Sequence, residues 1–391
     1  MVGEEKNPKS QPAKPAKVLI DIPNEHLNAL NEIIKLVDPE IQPLVADVLH
    51  MVPKEILIAM INSQPDSKIR ITECINATGG TTRCVRYASW TKRKLIPDFL
   101  KGVKWQACMG QLRDQEAHDV CWAIVVSELV RALRQIEGLD TDSNIEYSPQ
   151  DLIDFVDIEK RRVENKKGHY CYTSNLTKGF EYVKRKGILR EEDRPFTGCS
   201  QDVPPARTAS SQLGYIKDYV RLKTIDEALL HLKKHPIGAA MPIFLPEYKE
   251  IGDNGELIYR GPVSQNSKFH SMHAVSLMEV GEENGESYVL ARTSHGKNFG
   301  DGGYIKISLD VVFVYIPTPG EIVNSDAMKY FSKPGSLLSR FSYPLLLTKD
   351  EELQKKIDQD KEASCDRMDQ DKQFHATEWS FEWSFEDWFD G

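Results

Sequence analysis

Apolar residues recur with helical spacing in the first part of the chain and alternate as in strands in the later part. The strongest helical pattern covers about residues 121–137 and stops at Gly138, and "YSPQDLIDF" begins another helix with Ser148 as its N-cap. Strand patterns follow in "PIGAAMPIF", "HAVSLMEVG", "SYVLART" and "GGYIKIS". Helices first and strands later predict an α+β fold in two lobes.

The two ends of the chain differ from its centre. Residues 1–17 are polar and broken by prolines, so we predict a disordered tail. Residues 18–95 begin with helical spacing cut by prolines and become mixed after about residue 65, and we interpret them as a helical extension. Residues 319–391 are interpreted as a C-terminal extension that ends in "ATEWSFEWSFEDWFDG". Aromatic side chains among acids either dock on a protein partner or on the body of the protein, or belong to a disordered end.

The charge of the chain excludes one class of partner. The net charge is −9, and residues 348–391 hold 14 acidic and 6 basic side chains, so almost all of the excess lies in the tail. A nucleic-acid-binding body would carry a basic excess, and we therefore expect no nucleic-acid partner. The sequence contains neither an apolar run long enough to span a bilayer nor a signal sequence, so we expect no membrane association.

Metal and cofactor motifs are absent from the sequence pattern. The seven cysteines are irregularly spaced and form no CxxC pair, which argues against a zinc ribbon. His231 and His235 lie four residues apart on a predicted helix, but no third ligand is evident, and we expect both to be surface histidines. We predict no metal and no cofactor.

The stretch "RDQEAHDVCWAI", residues 113–124, contains the candidate nucleophile. Its polar run ends where the helical pattern begins, which places Cys121 at a helix N-terminus. Unpaired backbone N–H groups there favour a thiolate. A buried core cysteine is the alternative interpretation.

Five ordered segments resemble the papain family of cysteine peptidases over about residues 95–318. Gln115 precedes Cys121 by six residues, and Cys121-Trp122-Ala123 matches the family nucleophile and its two followers. The other matching segments are "YSPQDLIDF", "GFEYVKRKGI", "MHAVSLMEVG" and "YVLARTSHGKNFGDGGYIKI". The resemblance implies a papain-like two-lobe fold, with a helical lobe and a β-barrel-like lobe, in a peptidase domain over 96–318.

The resemblance also implies a role for each catalytic residue. Cys121 would attack a peptide carbonyl, and His273 would be its proton partner and later the acid for the leaving amine. The Cys121 backbone N–H and the Gln115 side-chain amide would bind the oxyanion. A protonated His273, together with the helix N-terminus, would lower the pKa of the thiol. The implied partner is a protein or peptide substrate.

Several positions depart from the family pattern. Thr293 stands where the family has the asparagine that orients the histidine, and His295 stands where a tryptophan shields that contact. Thr173 and Ser174 replace the Gly-Gly of the substrate groove, and Met272 replaces the Asp or Asn before the histidine. Together these changes predict a weakened or selective activity.

The family disulfides are also altered. The resemblance implies one bridge from position 118 to Cys171 and a second that begins at position 155, but these positions hold histidine and phenylalanine. We therefore expect no bridge at 118–171 or 155–199 and seven free cysteines. A reducing compartment, the cytoplasm or the nucleus, is expected.

Two hypotheses on function remain from the sequence. Retained Gln115, Cys121 and His273 favour a papain-like cysteine peptidase. Thr293, His295 and the residues at the Gly-Gly positions favour a catalytically degenerate homologue that binds proteins.

Overall fold

The structure is a computed structural model. It describes residues 68–75, 81–88, 105–165, 171–199, 204–207, 212–263, 267–309, 311–316, 330–331 and 335–358. The sequence-based predictions for the tail 1–17 and for the acidic aromatic end fall outside these residues.

In the described part of the chain, two strands come first, helices dominate residues 121–186, and strands dominate residues 258–345. The helices are α1 Cys121–Ile136, α2 Pro149–Phe155, α3 Ile158–Asn165, α4 Leu176–Lys186, α5 Ile225–Leu232 and α6 Glu247–Asp253, with a further helical segment at 349–358. The strands are β1 Lys68–Ile75, β2 Thr81–Ala88, β3 Asp218–Leu222, β4 Ile237–Leu245, β5 Ile258–Tyr259, β6 Ser267–Glu283, β7 Glu286–Arg292, β8 Tyr304–Ser308, β9 Val311–Ile316, β10 Gly335–Ser336 and β11 Ser339–Leu345.

The chain divides into two compact units. The first comprises Met1–Lys94, Pro262–Phe269 and Asp310–Gly335. In it β1 pairs antiparallel with β2, β2 pairs antiparallel with β9, and the start of β6 runs parallel to β1. The helical extension expected over 18–95 is therefore wrong for residues 68–75 and 81–88, whose β-branched residues alternate with polar ones as in strands. The rest of that extension lies outside the described residues.

The second unit comprises Leu95–Gly261, His270–Leu309 and Ser336–Gly391 and contains all the candidate site residues. Its β part has β6, β7 and β8 in antiparallel order, with β5 parallel to β8, and β11 pairs antiparallel with both β3 and β4. The strand patterns read from the sequence correspond to β4, β6, β7 and β8. The prediction of an α+β fold with a helical lobe and a β lobe is confirmed.

Local capping explains where the helices begin and end. The Ser148 hydroxyl accepts a hydrogen bond from the Asp151 backbone N–H at 3.0 Å, which starts α2 as the sequence predicts. Gly187 ends α4 with φ +70°, a conformation that glycine adopts without steric cost. These caps fix the helices that pack around α1.

Helix α1 lies at the centre of the core. All its residues from 122 to 134 are buried. Within this run, Glu128 forms an ion pair with Arg292 of β7 at 2.9 Å, and the exposed fractions of the two side chains are 1% and 2%. Removing one partner of such a buried pair costs about 3–5 kcal/mol. This pair therefore fixes the helix that begins at Cys121 against the strand that ends just before Thr293.

Cys171 and Cys199 form a disulfide, with their Cα atoms 5.3 Å apart. The expectation that all seven cysteines would be free is therefore wrong. No bridge joins position 118 to 171 or position 155 to 199, because positions 118 and 155 hold histidine and phenylalanine. The two family half-cystines that lost their partners are joined to each other.

The predicted histidine pair packs in the core region of the second unit. His231 and His235 both lie against the ring of Tyr343, with centroid separations of 4.9 and 4.2 Å. His235 is only 9% exposed, so the expectation of a surface position is wrong for this residue. Among the described helices none is long and apolar enough to cross a bilayer.

Candidate active site

Cys121 is the first residue of α1. The residue before it, Val120, is buried, and its carbonyl accepts the Ala123 N–H at 3.0 Å to start the helix. The next side chain, Trp122, donates its indole N–H to the Tyr172 carbonyl at 3.1 Å and packs on the Tyr172 ring. These contacts anchor the helix start, so the position of the Cys121 sulfur is set by the core.

His273 lies on strand β6, which passes beside Cys121. The backbone N–H of the following residue, Ala274, points at the Cys121 sulfur at 3.5 Å. His273 itself is 3% exposed. The structure thus brings the two expected catalytic residues together, although 152 positions separate them in the chain.

Gln115 is held by both atoms of its side-chain amide. Its nitrogen donates to the His118 carbonyl, and its oxygen accepts from the hydroxyl of Ser294, which is 1% exposed. The Gln115 backbone N–H also donates to the Ser294 carbonyl at 2.7 Å. The sequence did not indicate Ser294, which is polar, ordinary in its surroundings and distant in the chain.

His273 is held much less firmly. Its Nε2 atom is buried and has no hydrogen-bond partner among the described residues. Thr293, at the position of the family asparagine, donates its hydroxyl to the Gly303 carbonyl at 3.1 Å instead. A buried polar atom without a partner costs about 1–3 kcal/mol. Thr293 therefore provides no hydrogen bond to His273 Nε2.

Aromatic rings surround His273. His295 stacks on His273 with ring centroids 4.8 Å apart and an interplanar angle of 14°. Tyr248 of α6 meets both imidazoles edge-on, at 6.0 Å from His273 and 5.7 Å from His295. Sequence reasoning missed Tyr248, because it lies in a segment without a recognisable motif. Packing, rather than hydrogen bonding, fixes the histidine ring.

Burial determines the charge state of the pair. It raises the pKa of Cys121 from 9.0 to about 11, although the Ala274 N–H and the N–H groups at the start of α1 act in the opposite direction. Burial also lowers the pKa of His273 well below 6.5, and a charge on His295 would lower it further. The expected lowering of the thiol pKa is therefore wrong. Both shifts favour the neutral forms, a thiol at Cys121 and an uncharged imidazole at His273.

The three other predicted groove residues differ in exposure. Thr173 is exposed, and Lys160 donates to its carbonyl and lies 3.0 Å from its hydroxyl. The Ser174 hydroxyl is buried and has no partner among the described residues, and Met272 is half-buried. The two positions where the family has Gly-Gly thus hold one exposed threonine and one serine with a buried hydroxyl.

The sequence profile of the family described as papain family cysteine protease matches residues 98–316 of this chain. The chain belongs to that family, because the match covers more than half of its length.

Individual relatives are distant and longer than the matched region. The chain is 26% identical over 228 residues to "Probable cysteine protease RDL6" of Arabidopsis thaliana, covering 56% of this chain and 59% of the relative. It is 25% identical over 200 residues to the "Cathepsin L-like proteinase" of Phaedon cochleariae, covering 51% and 56%. It is also 24% identical over 268 residues to "Protein HEAT-INDUCED TAS1 TARGET 1" of Arabidopsis thaliana, covering 61% and 92%. The chain thus spans less than two thirds of the length of the first two relatives.

Proposed function

We propose that this chain is a cysteine peptidase that hydrolyses peptide bonds slowly or in a narrow set of protein or peptide substrates. The observation that carries the proposal is the juxtaposition of Cys121, at the start of α1, with the strand of His273, where the Ala274 N–H approaches the sulfur at 3.5 Å. A nucleophile beside a base is the arrangement that covalent acyl transfer requires.

The charge state of the pair determines how the reaction begins. Since burial favours the neutral forms of both groups, His273 takes the thiol proton in this mechanism as the sulfur of Cys121 bonds to the peptide carbonyl carbon. It then gives this proton to the leaving amine, and an acyl-enzyme remains. Water next attacks the thioester with His273 as base, which releases the acid product and restores the thiol.

The oxyanion formed in each step meets two donors. One is the backbone N–H of Cys121 at the start of α1, and the other is the amide of Gln115. An amide nitrogen carries two N–H groups. One of those of Gln115 is bonded to the His118 carbonyl, which orients the amide and leaves its second N–H for the oxyanion.

The histidine limits the rate in this proposal. The imidazolium that forms during attack gains no side-chain acceptor at Nε2, because the Thr293 hydroxyl is bonded to Gly303. A hydrogen bond to a charged group is worth about 1.5–3 kcal/mol. Its loss corresponds to a rate roughly 10- to 150-fold below that of a site with the asparagine.

A degenerate homologue that binds proteins through the old groove is the second candidate. Two observations favour it: the half-buried Cys121 has a pKa of about 11, and Thr173 and Ser174 stand at the Gly-Gly positions of the family. In this case the cleft would bind a peptide segment without cleaving it.

Cleavage of a broad peptide library by the full-length protein distinguishes the two candidates. We expect slow cleavage and labelling by a thiol-reactive peptide electrophile, with both lost in Cys121→Ala. Cys108→Ala is the matched control, because Cys108 is also a free, half-buried cysteine of the second unit. Both activities should persist in this control. Absence of cleavage and of labelling in the natural protein would leave the binding module as the function.

Three further elements of the proposal rest on the sequence alone. We propose a cytoplasmic or nuclear location, a peptidase domain over 96–318, and a protein partner for the aromatic tail. Because Cys171 and Cys199 form a disulfide, the cysteines of the chain no longer support a reducing compartment.

A further inference from the structure

Three side chains of metal-binding type converge in the second unit, and neither Cys121 nor His273 is among them. His118, Cys171 and Cys199 each offer one ligand atom, and the three atoms lie within 4.8 Å of one another. This is a cluster of two sulfurs and one imidazole nitrogen. The disulfide uses only the two sulfurs, so the histidine needs a separate explanation.

The three residues come from separate segments of the second unit. His118 lies in the loop before α1, Cys171 begins the segment that leads into α4, and Cys199 follows α4 in the chain. Cys171 is 6% exposed, whereas His118 and Cys199 are half-buried. A small ion can therefore reach the cluster from the side of His118 and Cys199, while Cys171 anchors it to the core.

We propose that, once the disulfide is reduced, His118, Cys171 and Cys199 bind one Zn²⁺ ion and leave its fourth position to water. The site is separate from the catalytic pair, and the proposal does not depend on peptidase activity.

The donor set suits zinc. Zn²⁺ takes thiolate and imidazole ligands at about 2.3 and 2.0–2.1 Å in tetrahedral geometry, and two cysteines with one histidine and a water form a known ligand combination. Two thiolates neutralise the charge of the ion, and thiolate sulfur disfavours hard cations such as Mg²⁺ and Ca²⁺. The Glu116 carboxylate, 3.8 Å from His118 Nε2, adds further negative potential beside the site. A carboxylate near a ligating histidine is a common supporting group.

The conversion between the two states balances with a dithiol as reductant. Thiol–disulfide exchange transfers two electrons and two protons to the cystine, so the dithiol becomes a disulfide and Cys171 and Cys199 become thiols. Zn²⁺ then displaces the two thiol protons as it binds. In the reverse direction, a disulfide oxidant removes two electrons from the sulfurs and the ion is released.

Two residues of the cluster are connected to candidate active-site residues, one by a hydrogen bond and one by closeness in sequence. The His118 carbonyl accepts from the Gln115 amide, and Cys171 lies two residues before Thr173. An ion that fixes His118 and Cys171 therefore fixes two backbone segments of the groove.

Cobalt(II) is the probe, because its tetrahedral thiolate complexes absorb visible and near-ultraviolet light. Full-length Cys121→Ala protein is reduced with a phosphine, freed of reductant without air, and titrated with Co²⁺ and then Zn²⁺. This background excludes binding at the catalytic pair. We expect one equivalent of Co²⁺ with a sulfur-to-cobalt charge-transfer band, displaced by one equivalent of Zn²⁺. The same protein with its disulfide intact should give no such band.

Variants of each ligand test the assignment. Cys199→Ser should abolish the charge-transfer band, and His118→Ala should weaken zinc binding by at least about tenfold, since loss of even a supporting residue costs that much. Cys108→Ser is the matched control and should bind like its parent. The proposal is overturned if the reduced protein gives no band, if the oxidised protein binds equally well, if the band survives in Cys199→Ser, or if His118→Ala binds zinc as tightly as its parent.

Discussion

Gln115 and His273 belong to the same candidate site, yet the protein fixes them by different means. Both amide atoms of Gln115 are hydrogen-bonded, one to the His118 carbonyl and one to the Ser294 hydroxyl. The buried Nε2 of His273 has no such partner among the described residues, and its ring is fixed by packing against His295 and Tyr248. In the proposed mechanism the oxyanion donor Gln115 is therefore oriented by hydrogen bonds, and the proton-transfer residue His273 is not.

In the proposed mechanism, this difference places the expected weakness in proton transfer. Electrostatic stabilisation of the oxyanion needs only donors that are already in place. Proton transfer needs an imidazole that can become charged, and burial beside a second histidine opposes that charge. The same site can thus retain its oxyanion donors and still react slowly.

Removing the oxyanion donor has the largest expected effect. Gln115→Ala should lower the cleavage rate about 10²–10³-fold, because one preorganised donor to the oxyanion is worth that much. Rates on a cleaved library peptide, measured beside the melting temperature, check this. Gln111→Ala is the matched control, since Gln111 lies exposed in the same loop. An equal rate in Gln115→Ala and the natural protein would show that the well-fixed side contributes nothing to catalysis.

The pH dependence of thiol reactivity tests the charge state of the proton-transfer side. A pKa of about 11 for Cys121 means that the thiolate fraction grows with pH throughout the range below it. Alkylation by iodoacetamide should therefore accelerate about 100-fold from pH 7 to pH 9, because only the thiolate reacts. Mass spectrometry of the peptide that contains Cys121 measures this rate separately from the other cysteines. A rate that is constant from pH 6 to pH 8 would instead indicate a thiolate already paired with imidazolium.

The features predicted correctly from the sequence are those that local patterns specify. The start of α1 at Cys121 follows from a change of apolar spacing, and the Ser148 cap follows from a Ser-Pro-x-Asp sequence. The strands of the β lobe follow from alternation. The family resemblance then supplied the pairing of Cys121 with His273, which no local pattern contains.

The features that the sequence did not indicate depend on contacts between distant segments. The Gln115–Ser294 hydrogen bond joins residues 179 positions apart. Cys171 and Cys199 have family partners elsewhere, so their pairing with each other depends on how the chain folds around the lost positions. The raised pKa of Cys121 depends on burial of the finished site, which outweighs the helix N-terminus that the sequence revealed.

Introducing the family asparagine at position 293 has the smallest expected effect on the cleavage rate, and it tests directly whether orientation of His273 limits that rate. Thr293→Asn should raise the cleavage rate by about tenfold or more, the lower end of what a hydrogen bond of about 1.5–3 kcal/mol to a charged group implies. Thr293→Ser is the matched control, because its hydroxyl can still donate to the Gly303 carbonyl as Thr293 does.

The stacked ring of His295 limits the space for a longer amide, so the double variant Thr293→Asn/His295→Trp, which restores both family residues, is measured beside the single one. An increase in either variant, absent in Thr293→Ser, would show that orientation of His273 limits the natural protein. If both variants fold with unchanged melting temperature and neither cleaves faster, the missing acceptor is not the cause. The weakness would then lie in the groove, where Thr173 and Ser174 replace the two glycines.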